Sequence, residues 1–259
     1  MITGTGIEPY FILALAALFA GLLDAVAGGG GLIQIPALFG VYPQAAPATL
    51  FGTNKLASIC GTGIAARTFW KTVPLDFAVL LPATACALLF SFVGAWTMSI
   101  VPPDLFRKIL PLILALVAVH VFRNKDFGAQ AGDGVSGRKK TISAALLGAV
   151  MGFYDGFFGP GTGSFLVFLL VRFFGQDFLR ASASAKVINV ACNLAALVWF
   201  VPNTEPLWGI AVVMALANML GASLGARLAI KEGAAFVRRV FLVAVVSLIA
   251  KTVWDGYLR

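Results

Sequence analysis

Charge is what this sequence has least of. Only 12% of its 259 residues are Asp, Glu, Lys or Arg, about half the roughly 25% of a typical soluble domain. Hydrophobic residues make up 60%, and apolar runs approaching about 20 residues, the length that crosses a hydrocarbon core, recur from Pro9 to the C-terminus. No soluble domain fits between them. The composition therefore places the chain in a lipid bilayer.

Histidine and cysteine are scarce as well. The single histidine, His120, ends an apolar run near Arg123 and reads as an interfacial residue. Cys60, Cys86 and Cys192 lie inside apolar runs without CxxC or metal-ligand spacing, so they read as small core residues. With no Cys/His cluster and no nucleophile–base pair, neither an enzyme activity, a metal nor a cofactor is expected. The first apolar run lacks a basic n-region and a small-residue cleavage site, its only flanking charge being Glu8, and is expected to stay in the mature protein. The net charge of +8 comes from Lys and Arg in short loops, which marks membrane topology and excludes a nucleic-acid partner.

What is present is an ordered series of apolar segments, at about Tyr10–Ala27, Leu32–Tyr42, Ala48–Phe69, Leu75–Met98 and Leu105–Phe122. The polar stretch Arg123–Lys140, with four glycines and seven charges, is the only long linker. Five more segments follow, at about Thr141–Phe158, Gly163–Phe174, Phe178–Phe200, Leu207–Ala229 and Ala235–Trp254. Three regions result: a first repeat over 1–122, a cytoplasmic linker over 123–140 and a second repeat over 141–259.

The second five segments repeat the first. Gly152 and Gly21, Asp155 and Asp24, Gly159 and Gly28, Gly161 and Gly30, Lys186 and Lys55, Gly225 and Gly94, and Arg238 and Arg107 are all separated by the same offset, 155 − 24 = 131. Glycine matches alone would be weak. Two Asp and two Lys inside apolar runs aligning without a gap make the duplication real.

Loop charges set the orientation, because Lys and Arg favour the cytoplasmic side. Basic residues follow the third and seventh segments (Arg67, Lys71, Arg172, Arg180), fill the linker and surround the turn before the tenth segment, whereas Val41–Thr49 and Val201–Pro206 have none. This pattern works if the short second and seventh segments fold back on their predecessors as hairpins. Arg107 and Lys108, near an outer turn, are the exception. Both termini are then outside, and the halves enter from opposite faces. The expected fold is an all-α polytopic membrane protein, an inverted-topology repeat of two five-segment halves, each with a glycine-broken hairpin.

Leu32–Tyr42 has 11 residues, about 16 Å as a helix, too short for about 30 Å of hydrocarbon. It must be a half-helix, broken from its predecessor at Gly28, Gly29, Gly30 and Gly31. Irregular backbone at membrane depth survives only where protein or a water-filled cavity satisfies its amides. Glycine brings N–H groups close to a ligand, and the start of the following half-helix carries partial positive charge. Together they suit an anion. In the second half Gly159, Gly161 and Gly163 alternate with Pro160, Thr162 and Ser164, whose hydroxyls join the cradle. Gly94 and Gly225, by contrast, read as helix-packing residues.

Lys55 and Lys186 each lie about 12 Å deep in their segments, near the midplane. Each charge costs about 2.5 to 3.5 kcal/mol there, so the two Lys with Asp24 and Asp155 oppose insertion by about 10 to 14 kcal/mol. Such a burden implies partners. On the same helical face Lys55 is followed by Ser58 and Thr62, and Lys186 by Asn189 and Asn193, at i, i+3 and i+7 in both halves. Two readings stay open. Asp24 and Asp155 neutralise Lys186 and Lys55 as structural ion pairs, or the lysines bind an anionic substrate while the aspartates hold them or take up protons. An ion pair that opens for substrate would satisfy both.

GLLDAVAGGGGLIQIPAL with FGTNKLAS, and GFYDGFFGPGTGSF with SAKVINVACNLAAL, resemble the paired signatures of the TauE/SafE sulfite exporter family across essentially the whole chain. The resemblance implies a multi-pass permease of the bacterial inner membrane for sulfite, organosulfonates or related small anions. The family motif falls on Asp24, Gly28 to Gly31, Asn54, Lys55, Asp155, Gly159, Pro160, Gly161, Gly163, Lys186, Asn189 and Asn193. A proton- or sodium-coupled importer of an organic anion and an anion channel are the alternatives. The partners expected are the anion and the bilayer, with a coupling ion and a homodimer left open.

Overall fold

The computed structural model of the protein describes the backbone of residues 6–106 and 137–257, with side chains as far as 233 and at Phe236. His120, most of the segment expected at Leu105–Phe122, the linker up to Ser136 and the side chains of the Arg107–Arg238 match lie outside the described residues.

Eight helices are described: α1 (Glu8–Ala27), α2 (Gly31–Val41), α3 (Pro47–Trp70), α4 (Phe77–Ile100), α5 (Gly137–Phe157), α6 (Thr162–Phe174), α7 (Phe178–Asn203) and α8 (Trp208–Tyr257). No strand occurs among the described residues. Four helical stretches, α1, α4, α7 and Trp208–Gly233 of α8, are long and apolar enough to cross a membrane, whereas α2 and α6 are short. The chain is an all-helical, multi-pass membrane protein.

Local chemistry places the helix ends. Pro47 opens α3 at a position where no amide donor is needed. Asp76 and Asp177 cap α4 and α7, accepting from the backbone N–H of Ala78 at 3.2 Å and of Arg180 at 2.9 Å. α5 begins at Gly137, before the expected Thr141, so Arg138, Lys139 and Lys140 occupy its first turn. One reason is visible: Lys140 reaches Asp76 at 2.6 Å and ties the start of α5 to that of α4. Gly233, at φ 75 and ψ −169, interrupts α8 between the two segments expected there.

The offset found in the sequence returns in the helices and in their packing. The starts of α2 and α6, of α3 and α7, and of α4 and α8 differ by 162 − 31, 178 − 47 and 208 − 77, in each case 131. Gly94 of α4 lies against the backbone of Phe153 and Phe157 in α5, and Gly225 of α8 lies against the backbone of Leu22 in α1. Phe153 and Leu22 are again separated by 131. α1 therefore packs on α8 and α5 on α4, each through a glycine that lets two backbones meet. Large apolar side chains such as Phe11, Leu15, Leu81, Leu89, Leu216 and Leu220 point outward, as a lipid-facing surface requires.

Candidate functional site

The two helix breaks meet each other. Gly28 closes α1 in the left-handed region at φ 82, with its N–H donating to the Asp24 carbonyl at 2.8 Å. Gly159 and Gly161 adopt φ 92 and 83 between α5 and α6. Ser164 stitches the breaks together: its N–H donates to the Gly28 carbonyl at 3.0 Å and its hydroxyl to the Ala27 carbonyl at 2.9 Å. A Cβ at Gly28 would run into the backbone of Gly163 and Ser164, and one at Gly31 would come within 3.1 Å of Pro160 Cα. Glycine is required here by conformation and by space.

The serine and threonine of the second break are engaged with backbone. The Thr162 hydroxyl donates to the Gly159 carbonyl at 2.7 Å, while Tyr154 donates to the Pro160 carbonyl at 2.6 Å. The irregular turn is thus held by side-chain donors from its own hairpin, which relieves the cost of unpaired carbonyls away from water.

Beside the breaks sit two ion pairs, each joining opposite halves. Lys55 of α3 pairs with Asp155 of α5, and Lys186 of α7 pairs with Asp24 of α1 at 2.8 Å. Lys186 also donates to the Asp24 backbone carbonyl. The offset of 131 converts one pair into the other. Their surroundings differ, however. The Lys55 and Asp155 side chains are both 3% exposed, whereas Asp24 is 17% exposed and Lys186 1%. Asp24 also accepts from the Gly30 N–H at 3.3 Å and faces the Thr62 hydroxyl at 3.5 Å.

Between the pairs lies a polar cavity of about 30 Å³, room for about two waters. Asp24, Asp155, Lys55, Asn54, Ser58, Thr62, Asn189 and Asn193 line it, together with Gly28, Gly30, Gly31, Gly159, Gly161 and Gly163. Gly29, Thr162, Ser164 and Lys186 do not line it directly; Lys186 borders it through Asp24. Asn193 donates to Asn189 Oδ1 at 2.8 Å, which orients that amide pair along α7. Two lining residues are not among the site residues expected from the sequence, Gln34 of α2, which falls within the GLLDAVAGGGGLIQIPAL stretch, and Asn218 of α8. Each is a lone amide in an apolar run, and that isolation was the available signal. The arrangement presents one cation, Lys55, with amides and glycine backbone to the cavity, while Asp155 and Asp24 hold Lys55 and Lys186 in place.

Comparison with known proteins agrees with this picture. A profile of the family described as sulfite exporter TauE/SafE matches residues 13–252. A probable membrane transporter protein of Haemophilus influenzae is 33% identical over 254 residues, covering 96% of either chain. The probable membrane transporter protein YfcA of Escherichia coli K12 is 32% identical, over 95% of this chain and 90% of its own. A probable membrane transporter protein of Sinorhizobium is likewise 32% identical, over 94% and 92%. No solved structure matches the chain.

Proposed function

This chain belongs to the sulfite exporter TauE/SafE family, and from that membership we propose that it is a permease of the bacterial inner membrane for a small sulfur oxyanion, sulfite or an organosulfonate. The observation that carries the reading is the pair of buried lysines, one from each half, held by carboxylates of the other half around a polar cavity at two helix breaks. Two Lys and two Asp sum to zero charge, so the site holds no unpaired charge at rest. An anion enters by taking a lysine from its aspartate, which keeps the lysine charged and in contact throughout.

The glycine breaks add donors without charge. Their N–H groups and the starts of α2 and α6 favour an anion placed between them. The exchange of contacts at one offset supports a two-fold repeat, and the loop charges favour an axis in the membrane plane, an inverted repeat with first repeat 1–122, linker 123–140 and second repeat 141–259. Broken helices meeting at the midplane are the usual site of such transporters.

An inside-negative potential of 100 mV drives a monovalent anion outward by about 2.3 kcal/mol, roughly 45-fold in concentration. Export therefore needs no coupling ion. The test is flux of sulfite, thiosulfate and methanesulfonate in liposomes containing the purified protein. Potential-driven flux of at least one supports the reading, and none of the three crossing overturns it.

A further inference from the structure

Gln34 sits on the third residue after the start of α2, is 1% exposed and lines the cavity, yet its Oε1 has no hydrogen-bond partner among the described residues. Asn54, next to Lys55, is in the same condition at Oδ1. Buried amide atoms are paired in the great majority of cases, and one left unpaired is costly. Neither residue is reproduced by the repeat: the positions 131 further on are Phe165 and Ala185. The lysines and aspartates are symmetric and these amides are not. We propose that Gln34 is a substrate-recognition residue, supplying a directional hydrogen bond to an oxygen of the anion that the lysines hold by charge.

An amide suits that task. A half-turn about its last bond exchanges acceptor for donor, so Gln34 meets either a bare oxyanion oxygen or the hydroxyl of a protonated one. A site built to hydrogen-bond its ligand also rejects analogues lacking that group. The assignment rests on the permease reading, and its test separates the two. Wild type and Gln34→Leu, both full-length, are titrated with sulfite, thiosulfate and methanesulfonate by thermal shift. Gln34→Leu is expected to melt no lower than wild type without anion, because an unpaired buried polar group has gone, and to bind the anion about 10- to 150-fold more weakly. A wild type that responds to none of the three overturns both the cargo and the role of Gln34. A wild-type response retained by Gln34→Leu, or a ligand-free variant that melts lower, overturns the role of Gln34 alone.

A second observation is independent of the amides. One turn before Lys55, Phe51 is buried in an aromatic cluster, with ring centroids 6.1 Å from Phe39, 5.4 Å from Phe106 and 6.2 Å from Phe158. The positions related to Phe39, Phe51 and Phe158 by 170 − 39, 182 − 51 and 158 − 27, in each case 131, are Leu170, Ser182 and Ala27. Where one half closes its polar stripe with rings packed edge-on and tilted, the other continues it with Ser182, 1% exposed and with an unpartnered hydroxyl. The more exposed aspartate, Asp24, belongs to the pair on the Ser182 side. We infer that the phenylalanine cluster is the outer gate of the permease, shut in this conformation, and that the Ser182 side is the inner approach.

Access decides this without reference to the cargo. Cys60, Cys86 and Cys192 are replaced by Ala, a reporter is introduced as Ser58→Cys in the cavity, and a membrane-impermeant thiol reagent is applied to each face. Inner-face labelling is expected to be faster than outer-face labelling, and Phe51→Ala is expected to raise the outer rate. An outer rate unchanged by Phe51→Ala overturns the gate. Gln44→Cys, on the exposed α2–α3 connection, reports which face is outer, so an inverted orientation is read separately from the gate.

Discussion

Removing Lys55 alone strands Asp155, and the structure sets the size of the effect. Among the described residues the Asp155 carboxylate is held by Lys55 alone, with both side chains 3% exposed. Breaking a buried pair by deleting one member costs about 3 to 5 kcal/mol, whereas deleting both is often neutral. At about 2 to 4 °C per kcal/mol for a chain of this size, Lys55→Met should melt roughly 6 to 20 °C lower, and Lys55→Met with Asp155→Asn should recover most of the loss. Lys186→Met should fall less, because Asp24 is 17% exposed and keeps the Gly30 N–H and Thr62 contacts. The assay is thermal unfolding of the purified variants, followed by size-exclusion chromatography to confirm a folded species. Equal drops for the two lysines, or a double variant no better than Lys55→Met, would refute the burial argument.

Gly28→Ala should prevent stable folding, since it combines φ 82 with a collision against the backbone of α6, whereas Gly29→Ala, whose new methyl would meet nothing closer than 3.7 Å, should express and melt like wild type. Reporter fusions at Met1 and Arg259 should both lie on the outer face with the 123–140 stretch inside, and termini on opposite faces would exclude the paired-hairpin topology. Asp76→Asn should weaken the tie to Lys140 by no more than about 1 kcal/mol, because both side chains are at least a quarter exposed, and unfolding temperature reads it.

The helices were legible because the physics that forms them is local: apolar runs, Pro47 at a helix start, Asp76 and Asp177 as caps, and glycines where an 11-residue run could not span. That Lys55 and Lys186 lie within helices, away from their ends, was legible for the same reason. The pairing of Asp24 with Lys186 and of Asp155 with Lys55 could be named from the sequence and is the one the structure makes, but the offset of 131 is kept equally by pairing within halves, and only tertiary packing separates the two. Gln34 and Asn218 were not legible as lining residues, because a single amide carries no periodicity. The aromatic cluster escaped notice for a related cause: Phe39, Phe51, Phe106 and Phe158 are far apart in sequence and, in a chain with 22 phenylalanines, none stands out.

The decisive measurement is sulfite flux in liposomes under an imposed potential, for wild type and for the two charge-neutral doubles, Lys55→Met with Asp155→Asn and Lys186→Met with Asp24→Asn. Wild type should move sulfite toward the positive side, approaching about 45-fold for a monovalent anion at 100 mV. Both doubles should remain folded and lose most of that flux, since a hydrogen bond to a charged group is worth about 1.5 to 3 kcal/mol, or roughly 10- to 150-fold in affinity. A folded double variant that transports at the wild-type rate would contradict the account, reducing its lysine to a structural counterion and leaving the glycine breaks and amides to bind the anion without it.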